Sequence, residues 1–276
     1  MANNETSGRV ALVTGAANGI GRAIAHRLAG LGMSLIAVDR DRAGLDALRR
    51  EAGAAAENIK VDVVDFAAED ADRSIAELAG RSGAVDVLVN NAGIGMGAVR
   101  NDYHAKPVAF WEVSPAHWRR FFAVNTHPSF LLAYHLAPGM MERKWGRIVN
   151  VTTSLGSMLR RGYVPYGPSK AAAESMTACM AKDLDGTGVT ANVIVPGGVT
   201  NTRLVPEGAF DRAELLQPEI MLPPLEFLLS RDGSKINGRR FVAAHWDCGL
   251  PAAAAAEASG APVGWESLGV LPIVPK

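Results

Sequence analysis

Short apolar runs alternate with longer helical patterns along almost the whole chain, and this alternation constrains the fold more than any other feature. Nearly continuous apolar runs are typical of parallel strands that helices cover on both faces. Their β-α-β-α order predicts one doubly wound α/β domain. The predicted strands are Val10–Val13, Ser34–Val38, Asn58–Val63, Val85–Val89, Arg147–Val151, Thr190–Val195 and Arg240–Val242. The predicted helices lie near Gly21–Leu31, Arg42–Glu51, Glu69–Ser82, Pro115–Met141, Pro168–Asp185 and Pro224–Ser230.

The length and the C-terminal composition predict one domain followed by a tail. A chain of 276 residues is long enough for one large α/β domain, to which we assign residues 1–250. The segment Pro251–Lys276 contains an alanine run, four prolines and no clear period. We expect it to form an irregular tail that packs on the domain or on a neighbouring subunit.

The charge balance and the cysteines exclude several classes of partner. Lys plus Arg and Asp plus Glu both total 28, and the resulting zero net charge argues against a nucleic-acid or anionic-membrane partner. Cys179 and Cys248 are far apart, so we interpret them as reduced structural thiols in a cytoplasmic protein. Met1–Arg9 has no apolar signal core and no run of about 18 apolar residues occurs, so we expect no membrane span. No histidine has metal-ligand spacing, and we predict no bound metal.

A glycine-rich stretch between the first strand and the first helix predicts a dinucleotide site. In Thr14–Gly21 the glycines let backbone N–H groups approach a phosphate at the positive end of the helix dipole. A βα turn without a ligand is the plainer alternative, but this position in a βαβ unit favours dinucleotide binding. Asp39 can accept hydrogen bonds from the adenosine ribose hydroxyls and repel a 2′-phosphate, unless the adjacent Arg40 offsets that repulsion. Asp62 follows the third strand and either meets the adenine ring or is an ordinary strand-end carboxylate.

The stretch Asn90-Asn91-Ala92-Gly93 follows the fourth strand. Its small residues let the backbone pass beneath a cofactor. The asparagine side chains can also tie adjacent strand ends together, so the sequence leaves both a structural role and a ligand contact open.

Tyr166 and Lys170 lie four residues apart in Tyr-Gly-Pro-Ser-Lys, which places a phenol and an ammonium on one face of a helix. The cation favours the phenolate and lowers the tyrosine pKa. The phenol then becomes a usable proton donor and acceptor near neutrality. On spacing alone a solvated surface pair is the commoner outcome, and the accompanying motifs reverse that preference.

Together these motifs resemble the classical short-chain dehydrogenase/reductases. The resemblance runs from about Arg9 to Asp247 and includes the glycine turn, Asn-Asn-Ala-Gly, Tyr-x-x-x-Lys and a Pro-Gly turn in the expected order. It implies a Rossmann-type parallel sheet of about seven strands, a nicotinamide cofactor, and hydride transfer between an alcohol and a carbonyl. It also implies that Tyr166 exchanges the hydroxyl proton, that Lys170 lowers the tyrosine pKa and binds the nicotinamide ribose, and that Asn125 holds a water in the proton relay.

The catalytic serine is where this chain departs from the family pattern. Members usually read Asn-x-Ser-Ser at this strand end, whereas this chain reads Asn-Val-Thr-Thr-Ser, ending at Ser154. Spacing from the tyrosine favours Thr153, and chemical identity favours Ser154. A threonine hydroxyl can donate the same hydrogen bond. Both stay candidates, with a slight preference for Ser154 because it carries no extra methyl group.

The turn Pro196-Gly197-Gly198-Val199 resembles the family's turn at the carboxamide end of the nicotinamide. The family's following threonine falls on Asn201 by strict offset, and a one-residue insertion makes Thr202 the phosphate contact. The resemblance therefore predicts the cofactor-binding residues Gly15, Asn18, Gly19, Ile20, Gly21, Asp39, Arg40, Asp62, Val63, Asn91, Ala92, Gly93, Tyr166, Lys170, Pro196, Gly197, Val199 and Thr202.

We expect an NAD-dependent dehydrogenase or reductase that acts on a secondary alcohol or ketone, and we expect a homo-oligomer, either a dimer or a tetramer. The alternatives are an NADP-dependent carbonyl reductase and a dinucleotide-binding sensor or scaffold without catalysis. The segments Gly95–Ser114 and Thr202–Ile220, the second of which the family uses as a mobile lid, are expected to set the substrate. Aromatic residues there favour ring-bearing or apolar ligands, or pack against another subunit. They include Tyr103, His104, Phe110 and Trp111.

Overall fold

The computed structural model of the protein describes residues 6–265. The strands are β1 (Val10–Thr14), β2 (Ser34–Asp39), β3 (Ile59–Val63), β4 (Val87–Asn90), β5 (Gly146–Val151), β6 (Val189–Val195), β7 (Arg239–Val242) and β8 (Gly260–Pro262). They form one sheet in the order β3-β2-β1-β4-β5-β6-β7-β8. Every neighbouring pair is parallel except β7 with β8, which is antiparallel. The predicted doubly wound α/β sheet is confirmed.

Helices cover both faces of the sheet and create two hydrophobic cores. Side chains of a strand alternate between the faces, so Ala11 and Val13 of β1 belong to one core and Leu12 belongs to the other. The helices are α1 (Gly19–Gly30), α2 (Arg42–Glu51), α3 (Ala71–Arg81), α4 (Pro115–Asn125), α5 (His127–Glu142), α6 (Leu155–Met158), α7 (Tyr166–Asp183), α8 (Leu222–Leu229) and α9 (Ala252–Ser259). The first core receives side chains of α1, α2 and α8, and the second receives side chains of α3 and α5.

The prediction of one continuous helix over Pro115–Met141 is wrong, because the backbone breaks at Thr126 (φ −127°, ψ −55°) between α4 and α5. The side chain of Asn125 explains the break. Its Oδ1 accepts from the backbone N–H of Ile94 at 2.8 Å, and its Nδ2 donates to the Ile94 carbonyl at 3.1 Å and to the Ser169 hydroxyl at 3.0 Å. These tertiary hydrogen bonds fix the end of α4.

The seven predicted strands are all present, and the structure adds β8 near the C-terminus. The predicted irregular tail therefore needs correction over part of its length, because Ala252–Ser259 is helical and Gly260–Pro262 pairs with β7. Residues 266–276 of that tail lie outside the described residues. The division into a domain and a tail stays a prediction.

The predictions on the two cysteines and on membrane spans can also be compared with the structure. Cys179 and Cys248 are both free, as predicted for reduced thiols, and both side chains are exposed. No helix within residues 6–265 is long and apolar enough to cross a membrane.

Candidate active site

The carboxyl ends of the central parallel strands meet at one edge of the sheet, which is where ligands bind in open α/β sheets. The glycine turn follows β1, the Asn-Asn-Ala-Gly stretch follows β4, and the Thr-Thr-Ser stretch follows β5. The N-terminal residues of α7 bring Tyr166 and Lys170 to the same edge. Most of the predicted residues are therefore brought together by topology alone.

The glycine turn has a backbone that only glycine accommodates. Gly15 and Gly19 have positive φ angles of 67° and 52°. A Cβ on Gly21 would lie 2.1 Å from the Gly15 carbonyl oxygen. The turn leads directly into the N-terminus of α1, whose first turn holds no acidic side chain. Exposed N–H groups and the helix dipole make this a cradle for phosphate, so these residues fit a dinucleotide. Ile20 packs its side chain against the core and contributes through the backbone.

Asp39 ends β2 and faces the glycine turn. Its two carboxylate oxygens accept hydrogen bonds from the backbone N–H groups of Ala17 and Asp41, each at 3.0 Å. The carboxylate thereby holds the turn in place and keeps further acceptor capacity for a ribose hydroxyl. Arg40 is exposed beside it.

Asp62 and Val63 do not line the cleft next to Asp39. The Asp62 carboxylate pairs with Arg81 of α3 at 2.7 Å, and Val63 is 46% exposed at the end of β3. Val64 and Asp65 line that cleft instead, together with Phe66. Sequence reasoning missed them because it ended at Asp62 and Val63, although their position directly after β3 offered the signal.

Asn91 ties the ends of β1 and β4 together. Its Nδ2 donates to the carbonyl oxygens of Thr14 (3.0 Å) and Gly15 (3.3 Å), and its backbone N–H donates to the Thr14 hydroxyl at 3.0 Å. Of the two open readings, the geometry gives the structural one. Ala92 and Gly93 line the cleft, and a Cβ on Gly93 would come within 3.3 Å of Lys170 Nζ.

Thr153 is the hydroxyl that acts on Tyr166. Its side chain opposes the rise in the pKa of the phenol. The hydroxyl of Ser154, the residue before α6, lies 3.1 Å from the Ser157 hydroxyl within that helix. This geometry favours Thr153 over the slightly preferred Ser154, and the identity of the donor stays a prediction.

The electrostatics of the tyrosine and lysine differ from the expectation. Burial raises the pKa of Tyr166 to about 12, and the hydrogen bond from Thr153 opposes that rise. Tyr166 is only partly buried by its exposed surface, which moderates this effect. Burial also lowers the pKa of Lys170 to about 8. The Lys170 ammonium donates to the Val151 carbonyl at 2.9 Å. Burial thus outweighs the predicted lowering of the tyrosine pKa by the cation.

The loop after β6 crosses back over the glycine turn. Gly197 has a φ of 92°, and the Pro196 carbonyl accepts from Ala244 N–H at 2.9 Å. Val199 is 44% exposed. A Cβ on Gly19 would meet the Thr202 methyl group at 2.8 Å, so Thr202 sits directly over the phosphate cradle.

The neighbours of Thr202 have other partners. The side chain of Asn201 hydrogen-bonds Gln217 and Arg212. This supports the one-residue insertion. Arg203 pairs with Asp41 at 2.8 Å, and the Asn18 side chain donates to the same carboxylate at 3.3 Å. The ion pair with Asp41 thus holds the loop after β6 across the end of the cleft beside β2.

Aromatic rings line the approach to Tyr166. The ring of Tyr163 lies 6.0 Å from the rings of both Tyr166 and Tyr103, and His104 lies 6.4 Å from Phe210 of the loop after β6. Tyr163 was missed from the sequence, although it lies only three residues before Tyr166, in the turn that precedes α7. The other two aromatics named for the first segment, Phe110 and Trp111, are 67% and 76% exposed and contact each other rather than this cluster.

Comparisons with known proteins agree with this geometry. The family model described as short chain dehydrogenase matches residues 9–210. The chain is 31% identical over 190 residues to 3-oxoacyl-(acyl-carrier-protein) reductase FabG from Vibrio harveyi, covering 69% of this chain and 73% of that protein. It is 33% identical over 244 residues to acetoacetyl-CoA reductase from Rhizobium meliloti (strain 1021), covering 83% and 94%. A solved metagenomic short-chain oxidoreductase in complex with NADP superposes with a TM-score of 0.70 at 28% identity, covering 87% of this chain and 97% of that one.

Proposed function

Because the chain belongs to the short-chain dehydrogenase/reductase family, we propose that it transfers a hydride between NAD(H) and a secondary alcohol or ketone. Family membership makes it an oxidoreductase that uses a nicotinamide dinucleotide. The observation that carries the rest of the proposal is the grouping of Thr153, Tyr166 and Lys170 beside the glycine cradle.

Each of these side chains has a distinct task in the proposed reaction. When bound, the nicotinamide supplies or accepts the hydride. The Thr153 hydroxyl donates a hydrogen bond to the substrate oxygen, where charge develops. Tyr166 gives that oxygen a proton during reduction and removes it during oxidation. Burial keeps the phenol protonated at neutral pH, as proton donation during reduction requires. Lys170 binds the nicotinamide ribose.

Asn125 is assigned to the proton relay through its backbone. Its side-chain oxygen and both amide hydrogens are engaged by Ile94 and Ser169. The carbonyl group at the helix break is therefore the part of Asn125 that holds the relay water.

The preference for NAD rests on Asp39 at the end of β2, whose carboxylate faces the glycine turn. A 2′-phosphate placed near this carboxylate is repelled in a partly desolvated site. NADP stays the second candidate because the solved metagenomic relative holds NADP and because Arg40 is exposed next to Asp39.

The substrate is expected to present an apolar or ring-bearing group to the aromatic cluster of Tyr103, Tyr163 and Phe210. Aromatic walls bury large area and favour such ligands. The two named relatives are reductases of oxoacyl compounds, so oxoacyl thioesters belong in the first substrate panel beside cyclic and aryl ketones.

A homo-oligomer is the expected assembly. Trp118 of α4 and Phe130 and Tyr134 of α5 are 42%, 46% and 64% exposed along the outer face of these helices. Large exposed aromatics on one face mark an interaction surface. Light scattering of the purified protein distinguishes a dimer or tetramer from a monomer. A cytoplasmic location stays a prediction.

A turnover screen tests the proposed function. Purified protein is incubated with each ketone of the panel and with NADH or NADPH, and the absorbance of the reduced nicotinamide is followed. Loss of absorbance that requires both ketone and protein supports the proposal. Tight binding of the dinucleotide with no turnover of any ketone or alcohol would instead favour the sensor or scaffold.

A further inference from the structure

A buried ion pair lies directly behind the catalytic hydroxyl. Glu174 of α7 has no exposed surface, and the side chain of its partner Arg240 on β7 is 12% exposed. Arg240 Nε lies 2.7 Å from Glu174 Oε1. The two residues are 66 positions apart in the sequence, and neither belongs to a motif that predicted the site.

Both members of the pair hold the end of β5. Glu174 Oε2 accepts from the Thr152 hydroxyl at 2.9 Å, and Arg240 Nη2 donates to the Thr153 carbonyl at 3.1 Å. One residue earlier, Lys170 Nζ donates to the Val151 carbonyl at 2.9 Å. Three consecutive residues, Val151, Thr152 and Thr153, are thus each held by a charged side chain.

The arrangement follows from the geometry of α7. Tyr166, Lys170 and Glu174 are spaced four residues apart and share one face of the helix. Arg240 reaches this face from β7, which is separated from β5 by β6. The Arg240 contact fixes the Thr153 carbonyl and so restricts movement of the backbone that carries the Thr153 hydroxyl.

Stability alone is a weak reason to keep such a pair. Removing two charges from water is costly, and replacing a buried ion pair by apolar residues of similar volume is often neutral or stabilising. This pair also contacts the residues at the end of β5, next to the proposed reacting atoms, so it can position them.

We propose that Arg240 and Glu174 are positioning residues that direct the Thr153 hydroxyl toward Tyr166 and the substrate oxygen. They act through the Thr152 hydroxyl and the Thr153 carbonyl and do not touch the substrate. The proposal rests on the proposed function, because it assigns Thr153 the role of hydrogen-bond donor to that oxygen.

The test replaces both charges at once. Glu174→Leu/Arg240→Met leaves no unpaired buried charge, so we expect it to fold. The matched control is Glu257→Leu/Arg239→Met, which removes the adjacent ion pair of β7, where Arg239 Nη2 lies 3.6 Å from Glu257 Oε2. If the first double variant does not fold, Arg240→Lys takes its place, since lysine keeps the charge but loses the planar fork that directs one N–H to Glu174 and another to the Thr153 carbonyl.

We expect kcat to fall by about 10- to 100-fold, the cost typical of a catalytic group displaced by about an ångström. The dissociation constant of the cofactor should stay within about twofold, and the control should keep its kcat. In a Thr153→Val background the same change should lower kcat no further, because the pair acts through the lost hydroxyl. A kcat within twofold of the wild type would overturn the proposal. So would a combined variant whose loss of kcat equals the product of the losses caused by Thr153→Val and by the charge replacement.

A crystal structure of the variant supplies a readout that needs no substrate. We expect the Thr153 hydroxyl to have left Tyr166, and an unchanged contact would also overturn the proposal. If the wild type turns over no substrate in the screen, the proposed function fails, and this structural comparison alone decides whether the pair positions Thr153.

Discussion

The side chain of Thr153 opposes the rise in the pKa of the Tyr166 phenol, whereas the hydroxyl of its neighbour Ser154 lies 3.1 Å from the Ser157 hydroxyl. Thr153→Val should therefore lower kcat by roughly 10²–10³-fold, the cost of removing a donor to a developing oxyanion. Ser154→Ala should keep most of the activity, and Thr153→Ser should restore turnover because it returns the hydroxyl. Steady-state kinetics of the three variants decide the matter. An inactive Ser154→Ala beside an active Thr153→Val would reverse the assignment.

Tyr166→Phe should abolish turnover and leave dinucleotide binding nearly intact. The variant loses only the phenolic hydroxyl, and a positioned proton donor contributes about 10²–10⁴-fold to the rate. Single-turnover kinetics measure the loss, and fluorescence titration with the reduced dinucleotide measures binding. Tyr134→Phe, which alters an exposed tyrosine of α5, is the control. Activity of Tyr166→Phe close to that of the wild type would contradict the proposed proton transfer.

Lys170→Met should change how stability depends on pH. Burial lowers the pKa of Lys170 to about 8 from its ordinary value of 10.5. Between these two values the unfolded chain binds more protons than the folded protein, so this lysine makes the wild type more stable as pH rises. As pH rises from about 8 to 10.5, the unfolding free energy of the wild type should increase relative to that of Lys170→Met by up to about 3 kcal/mol.

Urea unfolding at pH 7 and pH 10 measures this shift. Lys60→Met, at an exposed lysine of β3, controls for the general effect of losing a lysine. The same free-energy difference for Lys170→Met at both pH values would show that the ammonium is not desolvated.

Asp39→Asn should narrow the preference between the two dinucleotides. We expect the wild type to favour NAD over NADP by at least about tenfold in kcat/KM, which corresponds to about 1.4 kcal/mol. Asparagine keeps one oxygen to accept from Ala17 or Asp41 and removes the charge that repels a 2′-phosphate. Asp46→Asn on the exposed side of α2 is the matched control. Equal use of NAD and NADP by the wild type would mean that Arg40 offsets the repulsion.

Gly19→Ala should weaken dinucleotide binding by at least about tenfold. The residue has a φ of 52°, where a side chain costs roughly 1–2 kcal/mol, and its new Cβ would displace Thr202. Gly30→Ala is the matched control, because it ends the same helix and its Cβ would meet nothing within 4 Å. Calorimetric titration of both variants with the dinucleotide measures the difference. Equal affinities would contradict the assignment of Thr202 to the phosphate site.

Local patterns predicted the sheet well, because strand-length apolar runs bury themselves wherever parallel strands are covered on both faces. The run Ser34–Val38, for example, forms β2 with one added residue. The glycine turn was equally readable, since its backbone angles exclude other residues. The strands and the glycine turn are determined mainly by residues close together in the sequence, so local patterns predict them.

Features set by distant partners were not predictable in this way. The helix break after Asn125 depends on hydrogen bonds to Ile94 and Ser169. The Glu174–Arg240 pair joins α7 to β7 across 66 positions of the sequence. The raised pKa of Tyr166 likewise reflects burial rather than the spacing of its motif.

The two outermost strands of the sheet bear on how copies of this protein can associate. An unpaired strand edge is a template for edge-to-edge pairing and aggregation, and short strands, charges and proline suppress it. At one end, β8 has only three residues and closes with Pro262, which has no N–H to donate. At the other end, β3 carries the exposed Lys60 and the ion-paired Asp62. Within residues 6–265, continuation of the sheet from one copy into the next is therefore disfavoured at both ends, and the proposed self-association is expected to use the helical layers.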